Sequence, residues 1–212
     1  MILGDKTEWD DIFEQQLVPV ILSLILTTWK LLQKPGPSER EDTITDKLYC
    51  ALLNAKRRSE LPFLIRREDW EYDIERGKGT GRKDIVFFPS LYEEDIYLAV
   101  EAKRLNAIIS GSKQSLASEY VKEGMLRFVS GKYASSVKHG VMIAYVLDGE
   151  IETVMHKIEK NIQKHHEELR TSINAFMASG IRPEDIWTKE THHHRAHEKT
   201  VFRIHHLFLT QD

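Results

Sequence analysis

The chain has 212 residues, 41% of them hydrophobic, which is enough for one sizeable buried core and too few for two large domains. Thirty Lys and Arg stand against 33 Asp and Glu, so overall charge recruits no polyanion, and a nucleic-acid partner would need a local basic patch and metal ions. A single cysteine, Cys50, excludes an internal disulfide and fits a reducing compartment such as the cytoplasm; "KLYCALLNA" around it reads as a buried helix face.

Residues 2–14 carry five acidic side chains and no basic leader, so no signal peptide is expected. The apolar run at 17–29 is shorter than the ~20 residues that cross a bilayer, and it contains Pro19, Ser23, Thr27 and Thr28. It predicts a buried helix over 7–33, kinked at Pro19, and no membrane span. "KPGPSER" at 34–40 ends that helix. A second is predicted over 41–55, where Glu41, Ile44, Leu48 and Leu52 fall on one stripe and Asp42 and Asp46 point elsewhere.

Three extended segments follow, at 63–73, 83–88 and 96–105, with turns at 75–81 and 89–95. Gly77, Gly79 and Gly81 lack the Walker spacing, so a turn is expected there and not a phosphate loop. Residues 56–83 hold nine basic side chains against six acidic ones, a local cationic excess that reads equally as a polyanion contact or as a solvated charged face. A helix at about 113–130, a strand at 140–147, one or two amphipathic helices within 149–179 and a closing strand at 201–209 complete the order. It predicts an α/β fold with a mixed central sheet and helices on its faces.

Strand alternation places Glu101 and Lys103 of "VEAK" on one face. If 83–88 and 96–105 form a hairpin, Asp84 comes level with Glu101. Two close carboxylates repel unless a divalent cation lies between them, and an oxygen-rich pair suits Mg²⁺ or Mn²⁺. Such an ion supports phosphodiester hydrolysis, with Lys103 orienting the water or stabilising developing charge.

Asp84 after a Gly-rich basic turn, "VEAK" at 100–103 on the next strand and Glu41 on the preceding helix resemble the PD-(D/E)XK nuclease superfamily, the restriction-endonuclease-like fold. The resemblance covers roughly 38–147, an αβββαβ core, with 1–37 as an N-terminal helical extension and 148–212 as a helical and strand extension. It departs from the motif in having Lys83 where proline stands. It implies Asp84 and Glu101 as ligands of Mg²⁺ or Mn²⁺, Lys103 as the catalytic lysine and Glu41 as an added acid. Arg82 and Lys83, beside Asp84, join Arg127, His193 and Arg195 as candidate phosphate contacts. Arg127 either reaches phosphate or pairs with Glu123 one turn back, and mid-helix Gly124 suggests a close approach to the sheet or ligand. His193 and Arg195 are placed in a loop, in a His-rich segment including His192, His194 and His197, with His206 packed on the sheet. With a single cysteine, far off in the sequence at Cys50, a closed zinc site is disfavoured.

The resemblance implies a metal-dependent DNA endonuclease of a prokaryotic anti-phage defence or restriction system, assisted by a protein partner such as an ATPase. The alternative is an inactive nuclease-like subunit that binds nucleic acid or protein. An exposed apolar stripe on 7–33 would favour a homo-oligomer.

Overall fold

Two helices precede the first strand in the computed structural model, which describes residues 13–73, 76–90, 96–132, 134–172, 176–195 and 200–211. Residues 7–12 of the first predicted helix, 91–95 of a predicted turn, 173–175 and His197 lie outside the described residues. A π-helical turn, Phe13–Leu17, leads into α1, Val18–Leu31. Pro19 lies in the first turn of α1, directly after that π-helical turn, a position that tolerates its missing N–H. Ile21, Leu22, Ile25 and Trp29 are buried, so most of the stripe that would have favoured dimerisation is core. Trp29 stacks on Tyr145 at 5.4 Å and donates from Nε1 to the Thr210 carbonyl at 2.6 Å.

In α2, Glu41–Ser59, the periodic residues Ile44, Leu48 and Leu52 are buried as their spacing requires. Acids occupy its first turn and Lys56, Arg57 and Arg58 its last, the arrangement the helix dipole favours. Cys50 is exposed, a correction to the expected buried face: it stands two residues from both Leu48 and Leu52 and so turns away from their stripe.

The seven-stranded sheet has strands β1 (Phe63–Asp73), β2 (Lys78–Pro89), β3 (Leu98–Leu105), β6 (His139–Val146), β7 (Met177–Ala178), β8 (Thr188–His194) and β9 (Val201–Leu209) in the order β1-β2-β3-β6-β9-β8-β7. The pairs β3–β6 and β6–β9 are parallel and the other pairs antiparallel. β4 (Ala107–Ile109) and β5 (Ser112–Gln114) form a separate small hairpin. On one face Phe63, Ile85, Phe87, Val100, Val141 and Ile143 pack with α1 and α2. On the other, Val86, Ala99, Met142, Ala144 and Ile204 pack under α3 (Ala117–Tyr120), a π-helical turn (Val121–Met125), α4 (Leu126–Val129) and α5 (Ile151–Lys164). Both faces of the central strands are covered, which is why β6 reads as a continuous apolar run.

Two expectations change. The helix foreseen from 113 starts at Ala117 because β5 takes Ser112–Gln114, and the helical reading of 149–179 holds only to Lys164. The segment 148–212 also contributes β7, β8 and β9 to the same sheet, so it continues the core.

At Gly140 in β6, an added Cβ would lie 2.8 Å from Phe128 Cε1 and 3.1 Å from Phe202 Cζ, within a stacked ring pair. Gly140→Ala is expected to destabilise the fold by about 1–3 kcal/mol through overpacking, read as a lower urea midpoint; an unchanged midpoint would show that the two rings yield freely.

Candidate active site

β3 is hydrogen-bonded to β6 from Ala99 to Leu105, but its ladder with β2 ends at Ile85↔Val100. Beyond that pair β2 turns away, and the N–H groups on the vacated edge of β3 need other acceptors. Asp84 Oδ2 accepts from Ala102 N at 2.8 Å, and Glu41 Oε2 from Arg104 N at 2.9 Å. Two backbone donors thus fix two carboxylates in the gap. Glu68, between the pairs Arg67↔Ile85 and Asp69↔Lys83, has φ 56, a local break in β1 at the level where β2 departs.

Lys103 Nζ donates to Glu101 Oε1 at 2.8 Å, Ala102 O at 3.0 Å and Glu41 Oε1 at 3.1 Å. Burial alone would lower its pKa, but the charges of Glu101, Glu41 and Asp84 raise it, so the ammonium persists. Glu101 is 1% exposed. Its Oε1 accepts from both Lys103 and Arg127, each at 2.8 Å, while Oε2 is buried without a hydrogen-bond partner among the described residues. Burial, and then the Asp84 charge, push its pKa up to about 7. Burial raises that of Asp84 as well, against the opposing charge of Lys103. The unmet oxygen carries a desolvation cost of about 1–3 kcal/mol or more, which an electropositive ligand would remove.

The pieces foreseen in the sequence therefore converge: Asp84, Glu101, Lys103 and Glu41 meet in one partly open site. Arg127 bonds both Glu101 and, at 3.3 Å, Glu123, so the i,i+4 pair exists beside a contact that spacing alone does not reveal. Gly124 is buried, and a Cβ there would lie 2.4 Å from Met142 Cε and 3.9 Å from Glu101 Cγ, which bears out the expected close approach. Arg67 was missed as a site residue. Its Nη1 donates to the Asp84 carbonyl at 2.9 Å and its Nε to Asp46 Oδ1 at 2.8 Å, so it holds Asp84 against α2. Only the β1–β2 register, which pairs Arg67 with Ile85, brings it to the site, and the sequence carries no separate signal for it.

The remaining candidates are distributed differently. Arg82 is exposed and paired with Glu68 at 3.1 Å. Lys83 is only 3% exposed, and its Nζ lies 2.7 Å from Glu71, 3.0 Å from Asp69 and over the Tyr97 ring, out of reach of a phosphate. Burial would raise the Glu71 pKa, but Lys83, Tyr97 and Ser135 together lower it. His193 and Arg195 are buried too, because the expected loop begins as β8. Arg195 donates to the Ala134 and Val137 carbonyls and lies over Phe202.

His193 belongs to a buried polar chain with one consistent proton order. Leu169 O can only accept, so His193 Nδ1 donates to it at 2.7 Å. Neutral His193 then accepts at Nε2 from Thr191 Oγ1 at 2.7 Å. Thr191 Oγ1 accepts from His206 Nε2 at 2.9 Å, and His206 Nδ1 accepts from Tyr120 Oη at 2.8 Å. Protonating His193 at Nε2 or His206 at Nδ1 would make the Thr191 or Tyr120 hydroxyl accept instead of donate and leave its hydrogen without this acceptor. Burial lowers His193 to about 4 and His206 well below its ordinary value, and burial with His139 nearby lowers His205 to about 3.

No protein-family model, curated protein or solved structure matches this chain.

Lys83→Met would leave Glu71 and Asp69 without their buried counter-charge, and is expected to cost about 3–5 kcal/mol in urea unfolding. An unchanged midpoint would return Lys83 to the candidate phosphate contacts. The histidines make a separate prediction. Their folded pKa values lie below the unfolded value of 6.5, so the unfolded chain binds more protons as pH falls from about 6.5 toward 4, and stability is lost across that window. Each contributes a slope of up to about 1.4 kcal/mol per pH unit. Urea midpoints measured from pH 7.5 to 4.5 should fall, and Thr191→Val should disturb the profile; a flat profile would contradict the neutral assignment.

Proposed function

We propose that the chain is a metal-dependent phosphodiesterase that cuts DNA, with a restriction-endonuclease-like core of the PD-(D/E)XK type. We place it in the cytoplasm, in a prokaryotic anti-phage defence or restriction system alongside a partner such as an ATPase. The observation that carries the reading is the convergence of Asp84, Glu101 and Lys103, with Glu41, at the point where β2 leaves β3. The succession α2, three antiparallel strands, the α3–α4 helical segment and parallel β6 supports it.

The residues fit a hard cation. Glu101 Oε2 is a buried carboxylate oxygen without a hydrogen-bond partner among the described residues, and the partly exposed Asp84 is close enough for its charge to act on Glu101. Among the described residues no group of three or more His, Cys, Asp or Glu side chains is arranged to hold a metal ion. Two carboxylates completed by waters and substrate oxygens are nonetheless a usual Mg²⁺ set. Bound there, Mg²⁺ or Mn²⁺ would supply charge neutralisation and a more acidic water. The chain's own part is positional. Glu41 and Glu101 hold Lys103 charged, and its ammonium, by exchanging one of its three acceptors, can orient an attacking water or stabilise charge on the phosphoryl oxygens. Arg127 keeps the Glu101 carboxylate in its rotamer.

Arg127 is also the observation that favours the second reading, an inactive nuclease-like subunit, because a guanidinium on Glu101 neutralises that acid without a metal. Supercoiled plasmid and labelled single-stranded DNA and RNA, incubated with Mg²⁺, Mn²⁺ or EDTA, separate the two. Active protein should cut only with metal, and Lys103→Ala and Asp84→Ala should each lose about 10²–10³-fold or more. If wild type cuts nothing and binds Mg²⁺ no better than Asp84→Ala, the phosphodiesterase reading fails.

A further inference from the structure

Two clefts, of about 380 and 390 Å³, lie along the turn after α4, and Arg127, which bonds Glu101, lines the first of them. The first is lined by Lys122, Arg127 and Arg170, the second by Arg76 and Lys78, and Ser130 and Lys132 line both, so they form one groove. Thr80 Oγ1 donates to Lys132 O at 3.1 Å and ties the β1–β2 hairpin to the turn after α4 at the join. Among the described residues, Glu123 and Glu168 are the acids that line the groove. Six cations against two anions is a strong local excess in a chain with 30 basic and 33 acidic side chains.

The groove begins at the candidate active site. Arg127, at its inner end, places Nη1 2.8 Å from Glu101 Oε1. Further out, Lys78, Lys122, Lys132 and Arg170 are exposed and form no ion pair among the described residues, in contrast to Arg66, Arg82 and Lys113, which all do. Like charges along a concave strip repel one another and raise the local concentration of a polyanion. The other prominent surface at the hairpin carries Trp70, 52% exposed, and Tyr72, 65% exposed, but Arg66 and Arg67 are balanced there by Glu68 and Asp69. It offers no net charge to a phosphate chain.

We propose that the Lys122–Arg170–Lys132–Lys78–Arg76 groove binds the phosphodiester backbone of a nucleic-acid strand and leads it to Glu101 and Asp84. The inference rests on the phosphodiesterase reading for its direction, but binding can be measured without chemistry. Fluorescence anisotropy with 20-nucleotide single-stranded DNA, single-stranded RNA and duplex DNA, in EDTA and over a salt series, gives the affinity and its salt slope. The charge-reversed pair Lys78→Glu/Lys132→Glu is compared with Lys30→Glu/Lys160→Glu, which makes the same net change outside the groove, and circular dichroism checks that both fold.

The groove pair should lose about tenfold or more in affinity, and its log–log salt slope should shrink by about 1.4 on single strands or about 1.8 on duplex, two phosphate contacts' worth. The outside pair should stay near wild type, and the preferred polymer is the one for which wild type binds tightest. Equal losses in the two pairs, or no binding by wild type to any polymer, would overturn the groove. So would binding that is lost in Trp70→Ala and kept in the groove pair, since that would assign it to the aromatic surface. If wild type binds through the groove in EDTA yet cuts nothing with Mg²⁺, the groove stands and the phosphodiesterase reading falls. If it cuts and the groove pair cuts with unchanged KM, the reverse holds.

Discussion

The site depends on one topological constraint: β3 continues past the end of its ladder with β2. A strand interior that loses its neighbour leaves N–H donors in a half-buried place, where each must be satisfied. Here the acceptors are carboxylates, Asp84 from the departing strand and Glu41 from the start of α2. The backbone thereby holds acids whose mutual repulsion would otherwise drive them apart. Shortening the β2–β3 ladder is what opens space for a polar site within an apolar sheet.

Charge balance completes the arrangement. Glu41, Asp84 and Glu101 face Lys103, Arg127 and Arg67, and the partners are shared: Lys103 bridges two acids, and Arg67 joins Asp84 to α2. Within the shared set, Glu101 Oε2 is buried without a hydrogen-bond partner among the described residues. A glycine permits the approach that buries Glu101. Gly124 lies in a π-helical turn against Met142, where a side chain would press into the sheet, and single π-turns of this kind often occur where a helix is shaped around a functional group.

Much of this was legible in the sequence, for reasons that differ by element. The strand of Glu101 and Lys103 declares itself by a continuous apolar run with two charges inside it, and period-2 alternation puts those charges on one face. Asp84 could be brought level with Glu101 by supposing a hairpin of 83–88 with 96–105, and in the structure that pairing runs as far as Ile85↔Val100. The failures have a common cause, polar residues buried by partners remote in sequence. Lys83 reads as a surface cation until Glu71 and Tyr97 are brought to it. "TKETHHH" reads as a loop because its strand face is satisfied by hydrogen bonds and not by apolar contact. Arg67 carries no pattern of its own, and only pairing with β2 gives it a role.

That polar strand also bears on the site. Glu101, Met142 and His206 lie in register across β3, β6 and β9, and His206 accepts from Tyr120, one turn before Gly124 on the segment that covers Glu101. The helical segment is therefore fixed at two points, by Tyr120 on the histidine chain and by Arg127 on Glu101. His193 and His206 are buried in this chain of hydrogen bonds, and their part is to seat the helix that brings Gly124 and Arg127 to the acid. Because the chain Tyr120–His206–Thr191–His193–Leu169 has a single proton order while both rings are neutral, it is directional and sensitive to the loss of any member. The far half of the sheet, which the motif does not include, thereby sets the position of a side chain inside it.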